Sequence, residues 1–189
     1  LTFDDGYMEH YHVALLLRRL GIKSTFSIIT HLTKFEGKKL LTLRPKYIKE
    51  INKMGHEIAS HTKTHPNLTT IPLHKVKEEA RESKQLLEGL IGNKVRGFAY
   101  PYGAYNSSIV KIIGKYYEYA RGAGMHPLED PFNAKPENPH TLGALSRQRK
   151  DIRRILRLPI KLIEHEYDKY IRIIIILHKE SLSEILALI

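Results

Sequence analysis

The sequence predicts an α/β fold with a parallel sheet and helices outside it. Two observations predict it. Apolar periodicity switches repeatedly between a strand pattern and a helix pattern along the chain. Glycines then stop the helical segments, at Gly21, Gly55 and Gly92. A third observation bears on function: the residues able to do chemistry fall just after predicted strands.

The elements follow in order. Leu1-Thr2-Phe3 is a strand start that runs into Asp4-Asp5-Gly6. Met8 to Leu20 carries Val13, Leu16, Leu17 and Leu20 on one helical face. Ser24 to Thr30 is β-rich. Pro45 to Met54 is a short helix with proline in its first turn. His56 to Ser60 reads as a buried strand, and Pro72 to Leu90 as a long helix with Val76, Ala80, Leu87 and Leu90 inward. Val95 to Tyr100 is a strand, Ser107 to Lys115 a helix and Tyr117 to Arg121 a strand. Gly122 to Thr141, rich in proline, glycine and asparagine, is a long loop. Leu142 to Arg147 is a strand, Asp151 to Glu166 a helix, Ile171 to Leu177 a strand and Ser181 to Ile189 a last helix. No repeat and no low-complexity tract interrupts this order.

A chain of 189 residues is the size of one domain and can bury a core without staples. It has no cysteine, which excludes thiolate metal sites, disulfides and thiol nucleophiles. Hydrophobic content of 42% and charged content of 27% are those of an ordinary globular chain. No apolar run nears the roughly 18 residues of a membrane span, and no secretory signal is visible. The first residue is Leu1, and the first strand looks short of its opening residues; we expect a fragment, so compartment stays unknown.

The net charge of +11 permits an acidic partner. Lys150, Arg153, Arg154, Arg157 and Lys161 share one helical face. That face is either a solvated helix surface or an anion-docking one. It lacks interleaved aromatics, which argues against a single-stranded nucleic-acid groove.

His61 and His65 stand at i and i+4, so on a helical turn both imidazoles could reach one ion. Asp4 and Asp5 are adjacent; on an extended chain they point to opposite sides, so one can bind metal while the other acts as a base. Gly6 allows a sharp turn after them. One carboxylate and two imidazoles leave coordination positions open, the pattern of a catalytic ion. His56-Glu57 does not make a zincin helix, because the next histidine is His61, one residue too far. His178, at the end of the last strand, is a candidate acid. On a barrel, all these positions lie at the carboxyl ends of strands.

The ordered set resembles the polysaccharide deacetylase family, also called the NodB-homology or carbohydrate esterase family 4 domain. Thr2-Phe3-Asp4-Asp5-Gly6, His61-Thr62-Lys63-Thr64-His65, Phe98-Ala99-Tyr100-Pro101-Tyr102-Gly103 and Leu177-His178 look like its first, second, third and fifth motifs. The resemblance spans the chain almost end to end. It implies a distorted (β/α) barrel of about seven strands in a single domain, 1–189. It implies that Asp4 is the base, that Asp5, His61 and His65 hold one divalent metal ion (zinc, with cobalt or another divalent ion as alternatives), and that His178 is the general acid. Tyr102 would supply a backbone N–H to the oxyanion; Tyr100, Pro101 and Leu177 would line the groove.

The implied activity is hydrolysis of N-acetyl groups on an amino-sugar glycan or glycoconjugate, a carbon–nitrogen bond outside peptides. Alternatives are a formylated or lipid-linked sugar amide, or a non-catalytic anion- or glycan-binding module. Two departures stand out. Ala99 occupies the place of the arginine that orients the base, and Arg147 is the sequence's candidate replacement. The tryptophan motif is missing, since the chain has no Trp; Tyr100, Tyr105 or the 122–141 loop would supply the aromatic wall.

Overall fold

In the computed structural model, residues 1–19, 21–122, 145–146 and 175–176 are described. Nine strands and four α-helices are seen among them. They are β1 (Thr2–Phe3), α1 (His10–Arg19), β2 (Thr25–Ile28), β3 (Lys34–Phe35), β4 (Lys38–Lys39), α2 (Pro45–Lys53) and β5 (Glu57–Ser60). Then come α3 (Leu73–Ile91), β6 (Gly97–Ala99), α4 (Ser107–Ile113), β7 (Tyr119–Arg121), β8 (Leu145–Ser146) and β9 (Ile175–Ile176). Every predicted strand is present, and so are the four helices predicted before residue 122. Leu20, the rest of the 123–189 stretch and the two helices expected there lie outside the described residues.

Seven strands form one sheet in the order β7-β6-β5-β2-β1-β9-β8, and all its pairings are parallel. The two end strands, β7 and β8, do not pair with each other among the described residues. The sheet's seven parallel strands with helices packed on them are those of the distorted (β/α) barrel expected. Parallel neighbours need crossover connections, and α1 to α4 supply them between β1, β2, β5, β6 and β7.

Alternation along the strands sorts the two faces. Phe3, Phe26, Ile28, Ile58, Phe98 and Ala120 point toward the helices and join Val13, Leu17, Ile48, Ile51, Val76, Leu87 and Ile109 in one core. The other face is polar or small: Thr2, Thr25, Ser27, Glu57, Ala59, Ala99 and Arg121. Burying Phe26 and Phe98, each no more than 1% exposed, stabilises this layer by about 1.5–3 kcal/mol apiece. Phe3 stacks on Phe26 with centroids 4.9 Å apart, which fixes β1 beside β2.

Two buried histidines belong to this scaffold. The His56 Nδ1 accepts from the Ser24 backbone N–H at 3.2 Å, and its Nε2 donates to the Ala14 carbonyl at 2.9 Å. His56 therefore ties α1 to the sheet, in agreement with its exclusion from a metal site. His10 packs among Phe3, Tyr7 and Phe26.

A feature the sequence did not announce follows β2. Strands β3 and β4 form a two-residue hairpin, Lys34 opposite Lys39 and Phe35 opposite Lys38. Glu36 and Gly37 make its turn with φ of 46° and 75°. Two successive positive φ values are the signature of the tight turn that matches strand twist. The hairpin stands at the carboxyl ends of the strands, where its Phe35 meets His65.

Candidate metal centre

Asp5, His61 and His65 converge. His61 Nε2 lies 3.4 Å and His65 Nε2 3.5 Å from Asp5 Oδ1, and the two Nε2 atoms are 3.1 Å apart. All three residues are buried, and their ligand atoms lie within 4.8 Å of one another. This is the one such cluster among the described residues.

The local backbone explains the convergence, and it corrects two sequence expectations. Asp5 is not extended: its φ is 68°, followed by Gly6 at 72°. The turn sends Asp5 toward the histidines and leaves Asp4 pointing across the sheet. An added Cβ at Gly6 would also meet Ile28 Cδ1 at 3.0 Å. Nor is His61–His65 a helical turn. It is a loop with Thr62 and His65 both left-handed, at φ of 68° and 60°. Residues other than glycine resist that region, so surrounding contacts must hold them there.

The donor set fits a divalent cation. His61 Nδ1 donates to the Ala99 carbonyl at 2.9 Å, which leaves the Nε2 lone pair facing the centre. Two ring nitrogens at 3.1 Å beside a carboxylate oxygen need either a shared hydrogen or a metal ion between them. Oxygen plus two imidazoles suits zinc and its neighbours.

The electrostatics agree. Burial pushes the Asp4 carboxyl up, but the Arg121 guanidinium and His61 outweigh it and hold Asp4 below the usual carboxylate range. Burial also opposes ionisation of Asp5; His61 and His65 overcome it and lower that carboxyl too. His61 is raised despite burial, because Asp4 and Asp5 favour its cation. His65 is driven down to about 4, by burial first and then by neighbouring His61. The Tyr7 hydroxyl reaches Asp5 and lies 3.4 Å from Glu36 Oε2, tying the ligand to the hairpin.

Arg121 is the residue the sequence reading missed. It sits at the end of β7, 3% exposed, and its Nη2 donates to Asp4 Oδ1, to Thr2 Oγ1 at 3.2 Å and to Ser27 Oγ at 3.5 Å. The available signal was an arginine at the carboxyl end of a predicted strand, the place where the other candidate residues fall. Arg147, the expected partner of the base, lies outside the described residues, as do Leu177, His178 and the basic run Lys150, Arg153, Arg154, Arg157 and Lys161.

The aromatic surroundings also differ from expectation. Tyr100 is 1% exposed and packs on Phe98 and Tyr105 in the core, and Pro101 and Tyr105 are buried too. The exposed ring is Tyr102, at 64%, with φ of 59°. Its centroid is 4.8 Å from that of His65, while Phe35 of the hairpin stands 4.4 Å from the same ring. Phe35 and Tyr102 therefore flank the ligand at the site's mouth.

Residues 1–119 match the model of the polysaccharide deacetylase family. The chain belongs to that family. It is 30% identical over 118 residues to a chitooligosaccharide deacetylase of Azorhizobium caulinodans, an alignment covering 61% of this chain and 52% of the relative. It is similar to the Streptococcus pyogenes deacetylase PplD, solved in complex with acetate. There the TM-score is 0.59 at 29% identity, over 65% of this chain and 54% of that one. IcaB from Ammonifex degensii shares the fold with a TM-score of 0.68 at 22% identity, over 82% of this chain and 69% of that one. The chain spans about half, or less, of the length of the curated relatives it matches. The family's members include carbohydrate N-deacetylases, hydrolases of non-peptide carbon–nitrogen bonds. No helix among the described residues is long and apolar enough to cross a membrane.

Proposed function

We propose that this chain hydrolyses the N-acetyl amide of an amino-sugar glycan, with Asp4 as general base, and that residues 1–189 form one such domain. The observation that carries the reading is the pairing of an ionised Asp4, clamped by Arg121, with the buried Asp5, His61 and His65.

Asp5, His61 and His65 would hold one divalent ion, zinc by the nature of the donors. When bound, such an ion polarises an amide carbonyl and lowers the pKa of water toward about 7. Asp4 takes the proton from the attacking water. A base kept ionised is ready for that step, and general acid–base help is worth about 10²–10⁴-fold. Arg121 fixes the orientation of Asp4 through its guanidinium.

The Tyr102 backbone N–H, in its left-handed turn, is the donor for the developing oxyanion; one such donor contributes about 3 kcal/mol. His178 delivers a proton to the leaving amine. Tyr102 and Phe35 offer ring faces for the sugar. The products are acetate and a free amine.

The test is acetate release from N-acetylglucosamine oligomers by the wild-type chain, by Asp4→Asn and after exhaustive chelation. The reading expects release only from the untreated wild type. Undiminished release from Asp4→Asn, or from chelated protein, would remove the base or the metal from the scheme. The same assay on an N-formyl sugar separates the formamide alternative.

A further inference from the structure

We propose that Glu79 is a positioning residue of the metal centre, a buried carboxylate on α3 that holds the His61–His65 loop in its ligand-presenting shape. The inference rests on the metal reading above and adds to it the device that pre-arranges the two histidines.

Glu79 faces neither a lysine nor solvent. It is 8% exposed, and its carboxylate is consumed by the loop. Oε2 accepts the backbone N–H groups of Lys63 and Thr64, each at 2.8 Å, and Oε1 accepts the Thr64 hydroxyl at 2.6 Å. Hydrogen bonds to an ionised acceptor are about twice as strong as neutral ones. Lys63 and Thr64 are the middle of the loop, between left-handed Thr62 and left-handed His65. Relaxing either residue toward ordinary φ would swing the peptide groups that Glu79 grips.

A second strand of contacts leaves α3 one turn later. Ser83 receives the Ser60 hydroxyl at 2.8 Å. Ser60 Oγ accepts the Thr62 N–H at 3.2 Å, and Thr62 Oγ1 accepts the His65 N–H at 2.9 Å. Glu79 and Ser83, four residues apart on one helix face, therefore grip the loop at both its middle and its start. Lys63 reaches back from the loop to Glu78 at 3.0 Å and Glu82 at 2.8 Å, but those pairs are more exposed and contribute less.

The Thr30 and His31 N–H groups also bond the Thr62 and Lys63 carbonyls, at 3.2 and 2.9 Å, but only the α3 brace grips the loop's own N–H groups at Lys63 and Thr64, between its two left-handed residues. Loss of a group that orients metal ligands typically weakens binding about 10- to 100-fold.

The experiment is cobalt(II) titration of metal-stripped protein, well below its melting temperature, read by visible absorption and by chelator competition. Four chains are compared: wild type, Glu79→Ala, Glu79→Gln and Thr64→Val. Glu79→Ala is expected to bind about 10- to 100-fold more weakly and to show altered absorption bands. Glu79→Gln, which keeps an oxygen for both backbone N–H groups, is expected to recover most of the affinity. Thr64→Val, which removes one bond and disturbs the fold least, is expected to fall between. Cobalt affinity equal to wild type in folded Glu79→Ala, with only a lower melting temperature, overturns the inference and leaves the metal site standing. If Glu79→Ala does not fold, Thr64→Val and Glu79→Gln both matching wild type overturns it in the same way. A wild-type chain that takes up no cobalt overturns the metal reading and this inference together.

Discussion

Arg121 and Asp4, 117 residues apart in sequence, form a buried ion pair across the polar face of the sheet. It joins the edge strand β7 to β1 near the sheet's middle. Removing one partner of a buried pair strands the other charge and costs about 3–5 kcal/mol. Arg121→Met should lose stability of that order in urea denaturation.

The same variant should move the pH profile. Arg121 keeps the Asp4 carboxyl low against burial, which pushes it up. With Arg121 gone, burial prevails and the carboxyl protonates at higher pH. The acid limb of kcat/KM for acetate release should therefore shift upward in Arg121→Met. An unmoved limb would mean that Asp4 is not the titrating base.

Metal removal should be visible as stability. A ligand that binds only the folded chain adds about 2.7 kcal/mol at 100 times its Kd. Zinc should raise the melting temperature of wild type and leave His65→Ala unchanged, since that variant lacks one of three ligands. Equal shifts in both would place the ion elsewhere.

His10 should make the fold acid-sensitive. Burial drives its pKa down to about 4, although Asp5, Asp4 and Glu9 pull the other way and Lys38 adds to the depression. The unfolded chain, with histidine near 6.5, binds a proton that the folded chain refuses between those values. Stability is thus fully present above about pH 6.5 and falls as pH drops toward 4, with a slope approaching about 1.4 kcal/mol per unit. Its Nδ1 has no hydrogen-bond partner among the described residues, so a phenyl ring loses nothing there. Stability measured at pH 7 and pH 4.5 should change less in His10→Phe than in wild type. Identical pH dependence would show that His10 is charged in the folded chain.

Gly6 should tolerate no side chain cheaply. Its φ of 72° follows that of Asp5 at 68°. A left-handed residue with a Cβ costs about 1–2 kcal/mol, and the new carbon would press on Ile28. Gly6→Ala should unfold earlier in urea by that amount and bind cobalt more weakly, because Asp5 is the neighbour that must shift. Wild-type affinity in Gly6→Ala would show that the turn does not aim the ligand.

The sequence by itself determined the repeating units and the chemistry at their ends. Period-two and helical patterns with glycine stops were enough for β1, β2, β5, β6, β7 and α1 to α4, because each pattern is local. The Asp4-Asp5 and His61–His65 motifs were legible for the same reason, since each lies within five residues. Only the tertiary structure decided what meets what. Arg121 reaches Asp4 because the three strands between β1 and β7 in the sheet, β2, β5 and β6, pair in register, and no local pattern encodes that distance. The β3–β4 hairpin has strands of two residues and a Glu-Gly turn, too short for periodicity to register, yet it brings Phe35 to His65. Glu79 is one of several charges along α3, and its burial against the histidine loop follows from how α3 packs on β5. The left-handed residues Asp5, Thr62 and His65 are held by such distant contacts, and a propensity read along the chain points the other way.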